Sequence, residues 1–307
     1  MTSAREMRVR IKSIKNLSQV TRALQTVSAS KVRKSMQAVA ATTPYSEKAW
    51  KVLIHLARQS DHQNLHPLLA SRPVIKNSLV ILVTSDRGLA GSYNVNIVRK
   101  TLLHFIDYRN PVSYIAVGRK GRDLLSRRKL KVIADFNQIP TPPRFSDVSA
   151  IGWLAVDEFL AGTFDEVFIG YTKFETMLTQ TPILRRILPL DVELGNPNES
   201  GENITHHKST GVFSYEPGQS EILDTIVPRF TALQIYQSIL SAQASENAAR
   251  MIAMQNATDN ATELISVLQM EYNKARQQSI TNEMLDIAGG AEALNQVNKR
   301  LLMDVLE

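Results

Sequence analysis

The sequence contains no cysteine. Disulfides, zinc-thiolate sites and thiol nucleophiles are therefore excluded, and a reducing, cytosol-facing setting fits. Long apolar runs are absent too. With no stretch of about 20 apolar residues, nothing spans a bilayer as a helix. Aromatic residues are sparse at 6%, and none precedes Tyr45. A basic helix that binds nucleic acid usually interleaves aromatics for base stacking or carries a known fold signature, so the basic start of this chain argues for no nucleic-acid partner. The six histidines show no metal-ligand spacing, and no two acids are placed for general acid and base work. Neither a metal nor a cofactor is expected.

What is present is a polarised chain of 307 residues with a net charge of +7. Arg5, Arg8, Arg10, Lys12, Lys15, Arg22, Lys31, Arg33 and Lys34 face a single acid, Glu6, within the first 34 residues. Residues 246–307 carry nine acids against five bases. An acidic partner surface accounts best for the basic end. The Arg-rich, acid-poor start shares its composition with a mitochondrial targeting peptide. An unbroken hydrophobic repeat beginning at Ile11 favours a structural reading instead.

That repeat runs Ile11, Ile14, Leu17, Val20, Leu24, Val27, Val32, Met36, Val39. Its mean step of about 3.5 belongs to a helix whose seam stays against a partner helix in a left-handed supercoil. No Gly or Pro occurs before Pro44, so the helix extends about 40 residues, or about 55 if it passes Pro44. "QNLHPLLASRP" (Gln63–Pro73) reads as a connection. The short runs "SLVILVTS", "VSYIAV", "KVIADF" and "EVFIGY" then alternate with helical stretches near Val95–Ile106, Lys120–Arg128 and Asp147–Ala161. Alternating strand and helix predict a small, Rossmann-like, mostly parallel sheet covered on both faces. A polar segment follows, and from about Glu221 a second long helix begins, with Pro228 near its start. It contains the alanine-rich "SAQASENAARMIAMQNATDNA" and then Ile265, Leu268, Tyr272, Leu294, Val297, Leu301 and Val305 at seam spacing. Small residues let a second helix approach closely. The expected organisation is residues 1–62 and 219–307 as two terminal helices in an antiparallel coiled coil, 74–192 as the α/β domain and 193–218 as a polar loop.

"TSDRGLAGSYN" (Thr84–Asn94), between a buried-looking strand and a helix, raises the question of a phosphate-cradling loop. It lacks the Lys of a P-loop and the third glycine of a dinucleotide fingerprint. Gly88 and Gly91 read better as tight-turn geometry. "VGRKGRDLL" after the next strand is basic and reads as a solvated turn. A nucleotide-binding α/β enzyme remains the principal alternative.

Several stretches carry a resemblance to a known family: "RVRIKSIKNLSQVTRALQTVSASKVRKS", "VTSDRGLAGSYNVN", "YEPGQSEILDTIVPRF", "ASENAARMIAMQNATDNA" and "YNKARQQSITNEMLDIAGGAEAL". Together they resemble the gamma subunit of F-type ATP synthase. The resemblance implies a non-catalytic central-stalk rotor, in which the two terminal helices turn inside a hexamer of alpha and beta subunits. It implies that the α/β domain is a foot joined to the epsilon subunit and the membrane c-ring, without direct membrane insertion. The complex then sits peripherally on the cytoplasmic side of the cell membrane. The family's catch to a beta-subunit loop carries over to Arg276, Gln277 and Thr281. The basic residues Arg8, Lys12, Arg22, Lys31, Arg33 and Lys34 suit the acidic lever segment of the beta subunit. Gly289 and Gly290 are expected to permit close packing. Leu24 stands where many members carry Met, and the chloroplast-type cysteine insertion is absent.

Overall fold

The computed structural model describes residues 4–59, 66–108, 110–190 and 219–304. The polar loop expected at 193–218 lies outside the described residues. The elements run α1 (Ala4–Gln59), β1 (Ser78–Val83), α2 (Tyr93–His104), β2 (Val112–Val117), α3 (Arg119–Arg127), β3 (Val132–Phe136), α4 (Phe145–Leu160), β4 (Glu166–Phe174), β5 (Gln180–Leu188) and α5 (Gln219–Asp304). They divide into two compact units, one formed by the described parts of residues 1–24 and 254–307 and the other by residues 25–253.

In the larger unit the strands are ordered β3-β2-β1-β4-β5. β1 pairs in parallel with β2 and β4, and β2 with β3, while β5 runs antiparallel to β4. The alternation of side chains along a strand separates two cores. Leu79, Ile81 and Val83 of β1 join Ile115, Val148, Ile151 and Phe159 with residues of α5, whereas Val80 and Leu82 join Ile97 and Val98 of α2, Phe105 just after it and Leu125 of α3. β5 was not among the strands legible from apolar runs. Pro182 and the arginines at 185 and 186 interrupt its pattern, and it takes the edge position where a missing N–H is tolerated. Asp165, just before β4, secures the approach to β1 by accepting hydrogen bonds from Arg72 Nη1 at 2.8 Å and from the backbone N–H groups of Lys76 and Asn77 at 2.6 and 3.1 Å.

α1 does pass Pro44, for 56 residues in all. Its inward row needs a correction. In the smaller unit Ile11 and Thr21 are buried with Ile14 and Ser18 half-buried, and in the larger unit Ser28, Val32, Ser35 and Ser46 are buried. With the half-buried Gln25, Val39 and Thr42 between them, these positions alternate steps of three and four, so the heptad period holds. The phase is different: Leu17, Val20 and Val27 are exposed, at 56%, 55% and 52%. Small hydroxyl residues take the inward places because they match a helix of small residues. Ala242, Ala244, Ala248 and Ala261 of α5 are buried, and within the smaller unit the Thr21 and Thr258 hydroxyls meet at 2.7 Å.

Two turns also differ from expectation. In the β1–α2 loop the left-handed backbone falls at Leu89 (φ 64°) and Gly91 (φ 56°), not at Gly88. In the basic segment after β2, Arg119 and Lys120 are exposed as expected, but its glycines are not. Gly118 and Gly121 are buried against Thr84, whose Oγ1 donates to Val117 O at 3.0 Å and accepts from Gly121 N at 2.8 Å. A Cβ on Gly121 would stand 2.6 Å from that same oxygen, so glycine is required by close approach.

Candidate functional site

A doubly wound sheet binds its ligand outside the carboxyl ends of the strands, where the strand order reverses. Here that point lies between β1 and β4, and it is where "TSDRGLAGSYN" sits. α5 fills the crevice. Ser245 Oγ donates to Thr172 O at 2.9 Å and Phe174 N donates to Ser241 Oγ at 3.0 Å, joining the end of β4 to the helix. From the β1 side Tyr93 Oη donates to Ala242 O at 3.0 Å, and Arg250 Nη2 donates to Gly88 O at 3.3 Å. Tyr236 Oη and Gln243 Nε2 donate to the carbonyls of Pro143 and Pro140 at 3.0 and 2.9 Å, ahead of α4. Successive helical residues point about 100° apart, so these six residues grip α5 from several sides.

Asp86 and Asn94 of the loop are consumed within the fold, while Arg87 is exposed. Asp86 accepts from the backbone N–H groups of Arg119 at 3.1 Å and Gln138 at 2.8 Å. Asn94 Oδ1 accepts from Ser85 N at 2.9 Å. Arg250 also pairs with Glu246 at 2.7 Å, one helical turn away. Burial pushes the Glu246 carboxyl above its ordinary range, with Asp86 adding to the rise and Arg250 and Lys31 opposing it. Burial likewise pushes the Tyr93 phenol well up, so it serves as a hydrogen-bond donor. Sequence reasoning did not single out this grip. Its signal was an i, i+4 Glu-Arg pair placed within an alanine-rich, otherwise buried run.

Ten consecutive residues of α5, Thr231–Leu240, are buried on every side of the helix. Trp50 of α1 stacks on Phe230 with ring centroids 5.3 Å apart. α4 crosses at Gly152, where a Cβ would come within 2.7 Å of the Ala232 Cβ.

The expected partner-contact residues are placed very differently. Arg276, Gln277 and Thr281 occupy a turn and a half of α5 in the smaller unit, and all three are exposed. The Thr281 hydroxyl donates back to Gln277 O at 3.0 Å. Among the described residues Arg276 has no ion-pair partner. From Arg276 to Asn295 every residue is exposed, among them Ile280, Met284, Leu285, Ile287 and Leu294. Gly289 and Gly290 have nothing within 4 Å of a notional Cβ, so they serve no close packing within the described chain. Ile265, Leu268 and Tyr272 are half-buried as their spacing implies; the side chains at 297, 301 and 305 lie outside the described residues. On α1, Arg8, Lys12 and Arg22 belong to the smaller unit and Lys31, Arg33 and Lys34 to the larger; all six are exposed. Among the described residues no group of three or more His, Asp or Glu could hold a metal ion. No described helix is long and apolar enough to cross a membrane.

A family model described as ATP synthase matches residues 3–294. The chain is 41% identical over 300 residues to the ATP synthase gamma chain of Roseiflexus castenholzii, covering 97% of this chain and 100% of that protein. It is 43% identical to the ATP synthase gamma chain of Dehalococcoides mccartyi over 295 residues, covering 96% of this chain and 100% of that protein. Its fold is similar to a chain of the Euglena gracilis mitochondrial ATP synthase rotor, with a TM-score of 0.62 at 18% identity, covering 90% of this chain and 98% of that one. It is also similar to a chain of the central stalk and c-ring of the Tetrahymena thermophila mitochondrial enzyme, with a TM-score of 0.57 at 23% identity, covering 78% and 99%. The chain belongs to the ATP synthase gamma chain family.

Proposed function

We propose that this chain is the central-stalk rotor subunit of an F-type ATP synthase, coupling ion-driven rotation of a membrane ring to ATP synthesis or hydrolysis on neighbouring beta subunits, and that it performs no bond chemistry itself. Residues 1–62 and 219–307 form the shaft in this reading, 74–192 the foot, and 193–218 a polar connection. The observation that carries it is the double character of α5. One part of this helix plugs the crevice where a doubly wound domain would take a nucleotide, and another presents twenty consecutive exposed residues, including five large apolar ones, that need a cover from outside the chain.

A rotor acts by making different contacts with each of several neighbours, so that its angle favours a different state in each. Arg276 is suited to grip a carboxylate of a beta-subunit loop through two parallel hydrogen bonds, with Gln277 and Thr281 beside it. Arg8, Lys12, Arg22, Lys31, Arg33 and Lys34 offer exposed charges to an acidic beta-subunit segment. Pairs of this kind contribute on the order of 1 kcal/mol or less, which suits contacts broken in every turn. The foot meets the epsilon subunit and the c-ring, and the complex lies on the cytoplasmic side of the cell membrane, with this chain peripheral to the bilayer.

Purified chain mixed with alpha and beta subunits is expected to assemble at one copy per hexamer and to be required for stable ATP turnover; failure to co-assemble would sink the rotor reading. In the full synthase, Arg276→Ala should lower ATP-driven ion pumping relative to ATP hydrolysis without unfolding the chain, and unchanged pumping would remove Arg276 from the catch. Micromolar nucleotide binding by the isolated full chain would instead revive the enzyme reading.

A further inference from the structure

On the sheet face opposite α4 and α5, the helices α2 and α3 leave a groove of about 310 Å³ between them. Val95, Val98, Leu102, Leu103, Ile106 and Leu124 line it, and Arg99 and Arg128 complete the wall. α2 already spends Tyr93, Ile97, Val98 and Thr101 on the core. A twelve-residue surface helix needs one apolar stripe, yet α2 and the turn after it carry a second, with Leu103 58% and Ile106 71% exposed. The surroundings are strongly basic. α2, α3 and the C-cap Arg128 carry seven Lys or Arg and one acid, Asp123, which is itself paired with Arg122 at 3.3 Å. The two arginines of the wall are held by neutral groups: Arg99 Nη2 donates to Asn96 Oδ1 at 3.1 Å and Arg128 Nη1 to Leu124 O at 3.2 Å. Among the described residues neither has an ion-pair partner.

We propose that this groove docks an acidic amphipathic helix donated by another subunit of the complex, its apolar row filling the space between α2 and α3 and its carboxylates pairing with Arg99 and Arg128. A groove between two helices accepts side chains spaced i, i+3, i+4, i+7 from a third. Opposite charge at the rim sets orientation and speeds encounter, while the apolar floor supplies the affinity. A flat anionic membrane surface would meet the basic rim and leave the concave apolar floor unfilled. The identity of the donor as a subunit rests on the rotor reading; the chemistry of the groove does not.

The test uses the purified full chain and a fluorescein-labelled synthetic helix with Leu at i, i+3, i+4 and i+7 flanked by Glu. The helix should bind at least about tenfold more tightly than its scrambled version. Binding should fall about tenfold or more in the Arg99→Glu, Arg128→Glu double variant and in Leu103→Asp, with circular dichroism unchanged because these side chains are exposed. In the assembled synthase, a photo-crosslinker replacing Ile106 should attach to an acidic helical segment of another subunit. Equal binding of the scrambled peptide overturns the proposal, as does an assembled complex that yields no such crosslink. Vesicles of phosphatidylglycerol whose binding is lost in Leu103→Asp, while the peptide is indifferent to it, assign the face to the membrane instead. If the chain fails to assemble, the rotor reading fails, and the peptide result still decides the groove.

Discussion

Two stretches of α5 have opposite surroundings. Thr231–Leu240 is buried all round, enclosed by the sheet domain, α4 and α1, whereas residues 276–295 are exposed all round. Both contain large apolar residues, so apolarity alone does not tell them apart. Burial on every side means that a helix is held by its own chain, as in the core of a larger domain. Exposure on every side, with Ile, Met and Leu facing water, marks a helix awaiting a neighbour. The difference locates where this protein is self-sufficient and where it depends on an assembly.

The self-contained part of α5 is most sensitive at Phe230. Removing its ring by Phe230→Ala leaves Trp50 without its stacking partner and opens a cavity, at a cost of about 3–5 kcal/mol read by urea unfolding of the full chain. Arg250→Ala should cost about 2–3 kcal/mol, since it strips a largely buried carboxylate of its partner and Gly88 O of a donor. A smaller effect is expected in the pH profile. The folded state holds the Glu246 carboxyl above its ordinary value of about 4.5, so the native chain binds this proton more readily than the unfolded one. Its contribution to stability is therefore greatest below that ordinary value and declines as pH rises through the window up to the raised one. Glu246→Gln should flatten that decline in unfolding measured across the window. Ile287→Ala, in the exposed stretch, should change the stability of the isolated chain by less than about 0.5 kcal/mol. A loss of several kcal/mol there would show that the stretch is already packed within the chain.

The central sheet was legible because four parallel strands are short apolar or β-branched runs, the first three each followed by a helical pattern. β5 was not, since Pro182 and two arginines conceal an edge strand. On α1 the period could be read but the phase could not. The apolar series and the inward row coincide at Ile11, Ile14, Val32 and Val39, and diverge where Leu17 and Val20 point outward beside Ser18 and Thr21. A seam facing alanines selects small side chains over apolar ones, and a count of hydrophobic residues cannot register that. The grip at Ser241, Ser245 and Arg250 was hidden for another reason: its partners are backbone carbonyls and amides distant in sequence, which leave no residue pattern beyond the Glu246-Arg250 pair. The exposed contact residues were named through family resemblance. Nothing in their local chemistry separates Arg276 from an ordinary solvated arginine.

The most direct test of the central claim is amide hydrogen exchange across α5, measured on the free chain and on the chain assembled with alpha and beta subunits. Slow exchange is expected at Thr231–Leu240 in both states, and exchange at 276–295 that is fast in the free chain and at least about tenfold slower in the assembly. Equal exchange at 276–295 in the two states would contradict it.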